Sequence, residues 1–233
     1  MKQFSNRYIY LFSTLMVVSV ATLLSLAATL LQPAQAKNLE IEKKKSMLES
    51  IGVPADRTNT EELYSKYIKE SFVLNSLGEQ VEGVDAFTVV LRNEQKKPLD
   101  KQYLPVFRAL PDDGEKVLIF PVEGKGLWGP IFGYVSLRSD MNTIYGVNFD
   151  HKGETPGLGA EINTADFEGQ FPGKKLFDNE SFVSVQVIKG GAKPGDLHGV
   201  DAISGGTITS KGLQAMIADC IKKYNGYLQK NRN

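Results

Sequence analysis

The most marked feature of the apolar pattern is a mostly apolar segment near the N-terminus, which runs 24 residues from Tyr8 to Leu31 without a charged side chain or proline. A helix rises about 1.5 Å per residue, so this segment can span the roughly 30 Å hydrocarbon core of a bilayer. A cleaved signal peptide is the alternative, because Lys2 and Arg7 precede the segment and Ala34-Gln35-Ala36 resembles a cleavage site. The apolar run exceeds the roughly 7–15 residues of a signal-peptide core, which favours a retained transmembrane anchor over residues 1–36.

Two helices are predicted between this anchor and the strand-like part of the chain. Apolar residues are sparse over residues 39–51, which predicts a mostly polar helix that ends at Gly52. The spacing of Thr58-Asn59-Thr60-Glu61 is that of a capping box and predicts the start of a second helix. We therefore assign residues 37–56 to a linker helix and residues 57–233 to one soluble domain.

Beyond Glu70 the apolar pattern changes to a period of two, which is typical of strands. Seven segments are rich in Val, Ile, Phe and Tyr and are bounded by turn residues: 71–75, 86–92, 102–109, 117–123, 131–138, 143–149 and 182–188. Helical spacing returns near the C-terminus, at Leu213, Met216, Ile217, Cys220, Ile221 and Tyr224. This order predicts an α+β fold in which helices flank a mostly antiparallel sheet.

The charge and composition of the chain exclude several classes of ligand. The chain has 27 basic and 27 acidic residues, and the anchor holds two of the basic ones, which leaves 25 basic and 27 acidic residues beyond it. Nucleic-acid binding needs a basic surplus, so we expect no nucleic-acid partner. One cysteine and two histidines are too few for a Cys/His zinc site, a cysteine-ligated iron–sulfur cluster or a CxxCH haem attachment. We expect no metal site, so redox chemistry would require an organic cofactor.

A glycine-rich segment, Gly124-Lys-Gly126-Leu-Trp-Gly129, matches the GxGxxG spacing of dinucleotide-binding loops. That fingerprint must open a helix, whereas the residues from Pro130 onwards alternate as a strand does. We therefore reject dinucleotide binding at this segment. Taken alone, Trp128 is more typical of a core or rim position than of a cofactor contact.

A second loop, His151-Lys-Gly-Glu154-Thr-Pro-Gly-Leu-Gly159, contains three glycines and a proline, which predict a fixed turn. Its polar groups are Glu154 and Thr155, and Leu158 is its apolar side chain. Such a loop suits a flat ring or a plain structural turn equally well, and its residues alone do not decide between them. For His151 we expect a hydrogen-bonded surface histidine, because it has no partners for metal binding.

A third cluster, Asp201-Ala-Ile-Ser204-Gly-Gly-Thr207-Ile-Thr-Ser210, immediately precedes the C-terminal helix. Its turn would place backbone N–H groups and hydroxyls at a helix N-terminus, where unpaired donors and the macrodipole favour a phosphate group. A helix N-cap explains the same serine and threonine residues equally well. Both interpretations stay open on these residues alone.

Together these motifs resemble the C subunits of the sodium-translocating NADH:quinone oxidoreductases, which have a covalent FMN-binding domain. The resemblance covers nearly the whole chain, through the anchor, residues 126–137, the Glu154–Gly159 loop, the Gly173-Lys-Lys segment and the motif from Asp201 to Thr207. In this family the threonine that closes a Ser/Thr-Gly-Ala-Thr motif carries FMN through a phosphoester bond, which implies that role for Thr207. Gly206 stands where the family usually has alanine.

The resemblance also implies which residues contact FMN. Besides Thr207 these are Trp128, Glu154, Thr155, Gly157, Leu158, Gly159, Lys189, Ser204, Gly205 and Gly206. It further implies that Asp201 begins the motif recognised by the flavin transferase that attaches FMN. A cation such as Lys189 near the pyrimidine end of the ring would stabilise the anionic reduced flavin. Without the resemblance, Lys189 would be interpreted as a solvated lysine at a strand end.

The function implied by the resemblance is electron transfer, with no catalytic residue in this chain. The protein would relay electrons from an upstream metal centre to the FMN of the B subunit, within an inner-membrane complex that oxidises NADH, reduces ubiquinone and exports sodium. Its partners would be the A, B, D, E and F subunits, the flavin transferase and the membrane, with the soluble domain in the periplasm. Two alternatives are the G subunit of the related ion-translocating ferredoxin/NAD electron-transport complex and a non-redox, membrane-anchored binding module.

Overall fold

The structure, a computed structural model, describes residues 5–232 and divides into two compact units after Lys43. Helix α1 (Asn6–Glu49) makes up the first unit and ends within the second. It is long and apolar enough to cross a membrane, as the sequence predicts. The predicted anchor and the first part of the predicted linker form this one helix, which passes through Pro33 without a break. It ends at Glu49, and Gly52, the predicted end, lies in the turn that follows, with a φ of 75° that suits glycine.

The second helix, α2 (Thr60–Tyr67), begins later than the capping-box spacing predicts. Thr58 is not its N-cap, because Asn59 occupies that position and makes no side-chain capping bond. Instead Asp56 Oδ1 accepts hydrogen bonds from the amides of Thr58, at 2.7 Å, and Asn59, at 3.1 Å. This local turn engages the Thr58 amide that a capping box would bond to Glu61, and the helix begins two residues later, at Thr60.

Six strands form one sheet in which every neighbouring pair is antiparallel, in the order β2-β1-β3-β4-β5-β6. They are β1 (Ile68–Leu74), β2 (Gln80–Val81), β3 (Leu104–Ala109), β4 (Val117–Lys125), β5 (Pro130–Leu137) and β6 (Ile144–His151). Two short pairs lie outside it, antiparallel β7 (Phe177–Asp178) with β8 (Ser181–Phe182) and parallel β9 (Gln186–Ile188) with β10 (Gly199–Asp201). The other α-helices are α3 (Leu91–Glu94), α4 (Ala165–Glu168), α5 (Thr207–Lys222) and α6 (Asn225–Asn231). The predicted α+β fold is confirmed.

Two of the seven predicted strands differ from the structure. Residues 86–92 form a 3-10 turn followed by the start of α3, because Asp85 Oδ1 accepts from the amide of Phe87 at 2.9 Å and draws the backbone into a turn. The strand predicted over residues 182–188 is divided between β8 and β9. Ser184 lies between them with a φ of 58°, which is incompatible with a continuous strand.

The central strand β4 is buried on both faces of the sheet. Side chains alternate across a strand, so Phe120 packs on the face covered by α5, while Ile119 packs on the opposite face with Met47 and Leu48 from the end of α1. The apolar residues predicted at helical spacing near the C-terminus are all buried in the core. Strand β4 is therefore a nearly continuous apolar run because both of its faces are covered.

Helix α5 lies in close contact with the last residue of strand β4. A Cβ atom added at Gly212 would lie 2.4 Å from the carbonyl oxygen of Lys125, so only glycine permits this contact. Lys125 is the last residue of β4 and directly precedes the Gly126–Gly129 segment. The contact brings the start of α5 next to that segment.

Glu168, the last residue of α4, accepts a hydrogen bond from the amide of Phe149 at 2.6 Å. Burial raises the pKa of Glu168 to about 7, although the hydrogen bond from Phe149 lowers it, and the charges of Glu49 and Asp150 add to the rise.

A carboxyl whose pKa rises on folding, as that of Glu168 does, stabilises the folded state less as pH increases from the unfolded pKa, about 4.3, through 7. We expect Glu168→Gln to raise the free energy of unfolding by about 1–2 kcal/mol at pH 8 and to leave it unchanged near pH 4. Urea denaturation at both pH values measures this, and an equal difference at the two would contradict it.

Candidate functional site

The carboxylate of Glu154 joins three segments that are far apart in sequence. It is buried, with 5% of the residue exposed. Its Oε1 accepts hydrogen bonds from the amides of Trp128, at 2.8 Å, and Gly129, at 3.3 Å. Its Oε2 accepts from the hydroxyl of Thr209, at 2.5 Å, in the first turn of α5. All three motifs singled out in the sequence therefore meet at one side chain.

Glu154 is held as a carboxylate by these donors. Burial opposes its ionisation, but the hydroxyl of Thr209 and the amides of Trp128 and Gly129 outweigh burial and lower the pKa of Glu154 below its ordinary value. The nearby His151 acts in the same direction. His151 Nδ1 also accepts a hydrogen bond from the Glu154 amide at 3.2 Å, so the predicted hydrogen-bonded histidine is confirmed.

The glycine-rich segment forms a tight turn between two strands. The Gly126 amide donates to the carbonyl of Gly129 at 2.8 Å, and β5 begins at Pro130. The segment leads into a strand, as predicted, and so lacks the helix N-terminus on which the dinucleotide-binding fingerprint depends. Trp128 is 71% exposed, so it lies outside the core, and of the core and rim positions predicted for it only the rim agrees with the structure.

The second loop is fixed by its own backbone. The carbonyl of Thr155 accepts from the amides of Leu158 and Ala160, each at 3.1 Å, and the Gly157 amide donates to Glu161 Oε1 at 2.8 Å. A 3-10 helix then runs from Gly159 to Asn163. These bonds leave Leu158 on the surface at a fixed position.

The third cluster places Thr207 at the first position of α5. The N-cap is Gly206, and no side chain makes a capping bond, so the interpretation of Ser204 or Thr207 as a capping residue is wrong. Thr207 is exposed. Its hydroxyl therefore lies at the positive end of a 16-residue helix, beside first-turn amides that an N-cap side chain would otherwise engage.

The second and third motifs touch at Leu158 and Gly205. Gly205 has a φ of 72°, and a Cβ atom added there would lie 2.5 Å from Leu158 Cδ2. The glycine thus allows the leucine side chain to rest against the turn that leads into α5. This contact places an apolar side chain directly beside the segment that carries Thr207.

Apolar side chains are exposed on all three motifs at this end of the domain. They are Leu127 and Trp128 on the first turn, Leu158 on the second and Ile208 on α5. The sequence analysis missed Leu127 and Ile208. Ile208 could have been found, because it is an apolar residue off the buried face of a predicted helix. A flat aromatic molecule would cover such side chains.

Two predicted site residues lie at the edge of this arrangement. Lys189 follows the last residue of β9, and the amide of Ala202 donates to the carbonyl of Ile188 at 3.0 Å, so the Lys189 backbone adjoins the start of the third motif. Asp201 is bonded to a different segment, since its Oδ1 accepts a hydrogen bond from the amide of Ala192 at 2.7 Å. The structure thus brings the lysine close to the motif and ties Asp201 to a separate loop.

Thr209 is the functional residue that the sequence analysis missed. It is buried, with 1% exposed, and lies two residues after Thr207, so the two hydroxyls point to different sides of the helix. Its partner, Glu154, is 55 residues away in sequence. Pattern alone does not reveal a bond over that separation.

Within residues 5–232, no group of three or more His, Cys, Asp or Glu side chains is arranged to hold a metal ion. The site instead combines one exposed hydroxyl at a helix N-terminus with a neighbouring apolar surface. The hydroxyl and the amides suit a phosphate group, and the apolar side chains suit an aromatic ring. This donor set fits a molecule that has a phosphate at one end and a flat ring at the other.

Comparisons with known proteins agree with this chemistry. The FMN-binding domain family matches residues 126–222, which include the second and third motifs in full and the first from Gly126 onwards. The C subunit of the Na(+)-translocating NADH-quinone reductase of Vibrio vulnificus (strain YJ016) is 34% identical over 208 residues, covering 82% of this chain and 81% of that protein. Its counterpart in Haemophilus ducreyi is 33% identical over 202 residues, covering 80% and 78%.

Two solved structures share the fold. The crystal structure of the C subunit of the Na(+)-translocating NADH-quinone reductase from Parabacteroides distasonis is 43% identical, with a TM-score of 0.78, and the match covers 85% of this chain and 96% of that one. The crystal structure of Shewanella oneidensis NqrC is 28% identical, with a TM-score of 0.69, covering 82% and 98%. The similarity therefore extends through the soluble domain in both sequence and structure.

Proposed function

Because this chain belongs to the C subunits of the Na(+)-translocating NADH-quinone reductases, we propose that it holds FMN covalently on Thr207 and relays electrons through it. It is an FMN-binding electron-transfer subunit of a membrane complex, and α1 anchors it in the membrane. The observation that carries the proposal is the exposed hydroxyl of Thr207 at a helix N-terminus that no side chain caps.

The attachment chemistry follows from that position. The oxygen of the Thr207 hydroxyl forms a bond to the phosphorus of the FMN half of a flavin dinucleotide, supplied by the flavin transferase. The pyrophosphate bond breaks, AMP leaves, and the hydroxyl proton passes to a base of the transferase. First-turn amides of α5 would hold the phosphate group of the attached FMN, and the turn of Ser204, Gly205 and Gly206 would lie beside it.

The ring contacts are proposed for the side chains that the site exposes. Trp128 and Leu158 offer apolar surface, and the fixed loop of Thr155, Gly157 and Gly159 sets the position of Leu158. Lys189 adjoins the third motif through its backbone, and its charge would favour the anionic reduced flavin. When bound, FMN supplies the electron-accepting chemistry that no side chain of this chain provides.

The exchange partners are the cofactors of neighbouring subunits. We assign Thr207-bound FMN to a relay between an upstream metal centre and the FMN of the B subunit, within a complex of A to F subunits that exports sodium. Exposure of Trp128 supports this relay, because a site at the surface lets the cofactor of another protein approach closely.

We assign the soluble domain to the periplasm, with α1 as an uncleaved signal anchor in the inner membrane. The length and apolar character of α1 support the anchor. Covalent attachment suits an exported domain, because a lost FMN could not be replaced from the cytoplasm. Asp201 is proposed to begin the motif that the flavin transferase recognises.

Co-expression with and without the flavin transferase tests this function. We expect the full chain to purify yellow and to give a fluorescent band on a denaturing gel only when the transferase is present. Expression without the transferase is the matched control. A colourless protein from cells that contain an active transferase would contradict covalent flavin binding and would favour a non-redox binding module.

A further inference from the structure

We propose that Thr209 is a positioning residue for flavin attachment, because its bond to Glu154 fixes the first turn of α5 against the two loops that face the flavin. The proposal rests on the assignment of Thr207 as the attachment residue. It concerns a different hydroxyl, which is buried and cannot itself receive the flavin while α5 is formed.

Hydrogen bonds to the Glu154 carboxylate join the first and third segments to the loop that contains Glu154. The Trp128 and Gly129 amides donate to Oε1, and the Thr209 hydroxyl donates to Oε2 at 2.5 Å. Glu154 itself belongs to the second loop. Among the described contacts, the Thr209 hydroxyl supplies the hydrogen bond by which α5 joins this carboxylate. Its removal deletes that bond, while the bonds from Trp128 and Gly129 and the packing at Gly205 and Gly212 stay in place.

Glycines on two segments leave room for the carboxylate and its partner. A Cβ atom added at Gly126 would lie 2.5 Å from Glu154 Oε1. A Cβ atom added at Gly159 would lie 2.4 Å from Thr209 Oγ1 and 2.6 Å from Glu154 Oε2. All three distances are shorter than the 3.0 Å below which Cβ contacts essentially do not occur, so glycine at both positions leaves the space that this hydrogen-bonded pair occupies.

The geometry links the buried bond to the exposed hydroxyl. Thr207 and Thr209 lie in the same helical turn, so a shift of Thr209 moves Thr207 with it. Attachment requires the Thr207 oxygen in line with phosphorus, and displacements of about 1 Å from a reactive geometry can slow a reaction by up to about 100-fold. Recognition of the motif around Asp201 is separate, because Asp201 is bound to another loop.

The test measures flavin attachment to the detergent-solubilised full chain by purified transferase with FAD. We expect Thr209→Val to lower kcat for attachment about tenfold with KM for the chain changed less than twofold. Thr209→Ser keeps the hydroxyl and should restore at least half of the wild-type rate. Thr88→Val is the matched control, because its hydroxyl donates to the carbonyl of Asp85 in a separate turn.

Distinct outcomes separate this proposal from the one on which it rests. If the wild type takes no flavin on Thr207, the proposed function fails. If the wild type is labelled and Thr209→Val is labelled at the same rate, or Thr209→Ser is as slow as Thr209→Val, the positioning role fails alone. If Thr209→Val does not fold, the same assay is made with Glu154→Gln, which removes the charge of the carboxylate to which Thr209 donates. An unchanged attachment rate in that variant would overturn the proposal.

Discussion

Thr207→Ala is expected to give a folded, membrane-anchored chain that carries no covalent flavin. The substitution removes the exposed hydroxyl in the first turn of α5 and leaves the buried contacts of the helix, including those of Thr209, intact. Alanine is well tolerated at an exposed helical position, so we expect the free energy of unfolding to change by less than about 0.5 kcal/mol. Fluorescence on a denaturing gel after co-expression with the transferase measures the loss, which should be complete.

Thr207→Ser is the matched variant for this experiment. It keeps a hydroxyl on the same carbon and should retain covalent flavin. A fluorescent band that persists in Thr207→Ala would show that another residue carries the flavin. Loss of the band in both variants, with wild-type stability, would show that attachment needs the threonine methyl group as well as the hydroxyl.

Glu154→Leu is expected to destabilise the soluble domain by about 3–5 kcal/mol, because three donors that now share one buried carboxylate lose their acceptor. The pKa of Glu154 is lowered on folding, so its contribution to stability is present above the unfolded pKa, about 4.3, and is lost as pH falls through the folded value. The difference from wild type should therefore shrink below about pH 4. Urea denaturation at pH 7 and at pH 3.5 measures both effects.

Glu161→Leu provides the control for the loss of a carboxylate in the same region. The hydrogen bond described for the Glu161 carboxylate comes from the Gly157 amide at 2.8 Å, and that bond is exposed. We expect its loss to cost less than about 1 kcal/mol. Equal destabilisation by the two variants would show that Glu154 does not organise the site.

The sequence predicts helices and strands correctly where apolar periodicity is the dominant local signal. Strands β3 to β6 and the buried face of α5 follow directly from apolar periodicity. Side-chain bonds to the backbone override periodicity at two places. Asp56 delays the start of α2, and Asp85 turns residues 86–88 into a 3-10 helix. Both aspartates were visible in the sequence, but the competition between a turn and a strand or capping box depends on the surrounding contacts.

The sequence identifies the motifs that form the site, but it does not show how they are arranged in space. The resemblance to a flavoprotein family singled out Thr207, Leu158 and Glu154, and the structure brings the segments that carry them together. It could not show that Glu154 is buried among hydrogen-bond donors, or that Thr209 supplies one of them. Long-range bonds of this kind leave no periodic pattern, because neither residue type is unusual in a loop or in the first turn of a helix.

Peptide mass spectrometry of the membrane-extracted wild-type chain tests the central claim most directly. Trypsin should release residues 190–211 as one peptide, because Pro194 protects the bond after Lys193. We expect this peptide to carry the mass of FMN, with fragment ions that place it on Thr207 and not on Ser204, Thr209 or Ser210. An unmodified peptide from cells with an active transferase, or FMN on any other residue, would contradict the assignment.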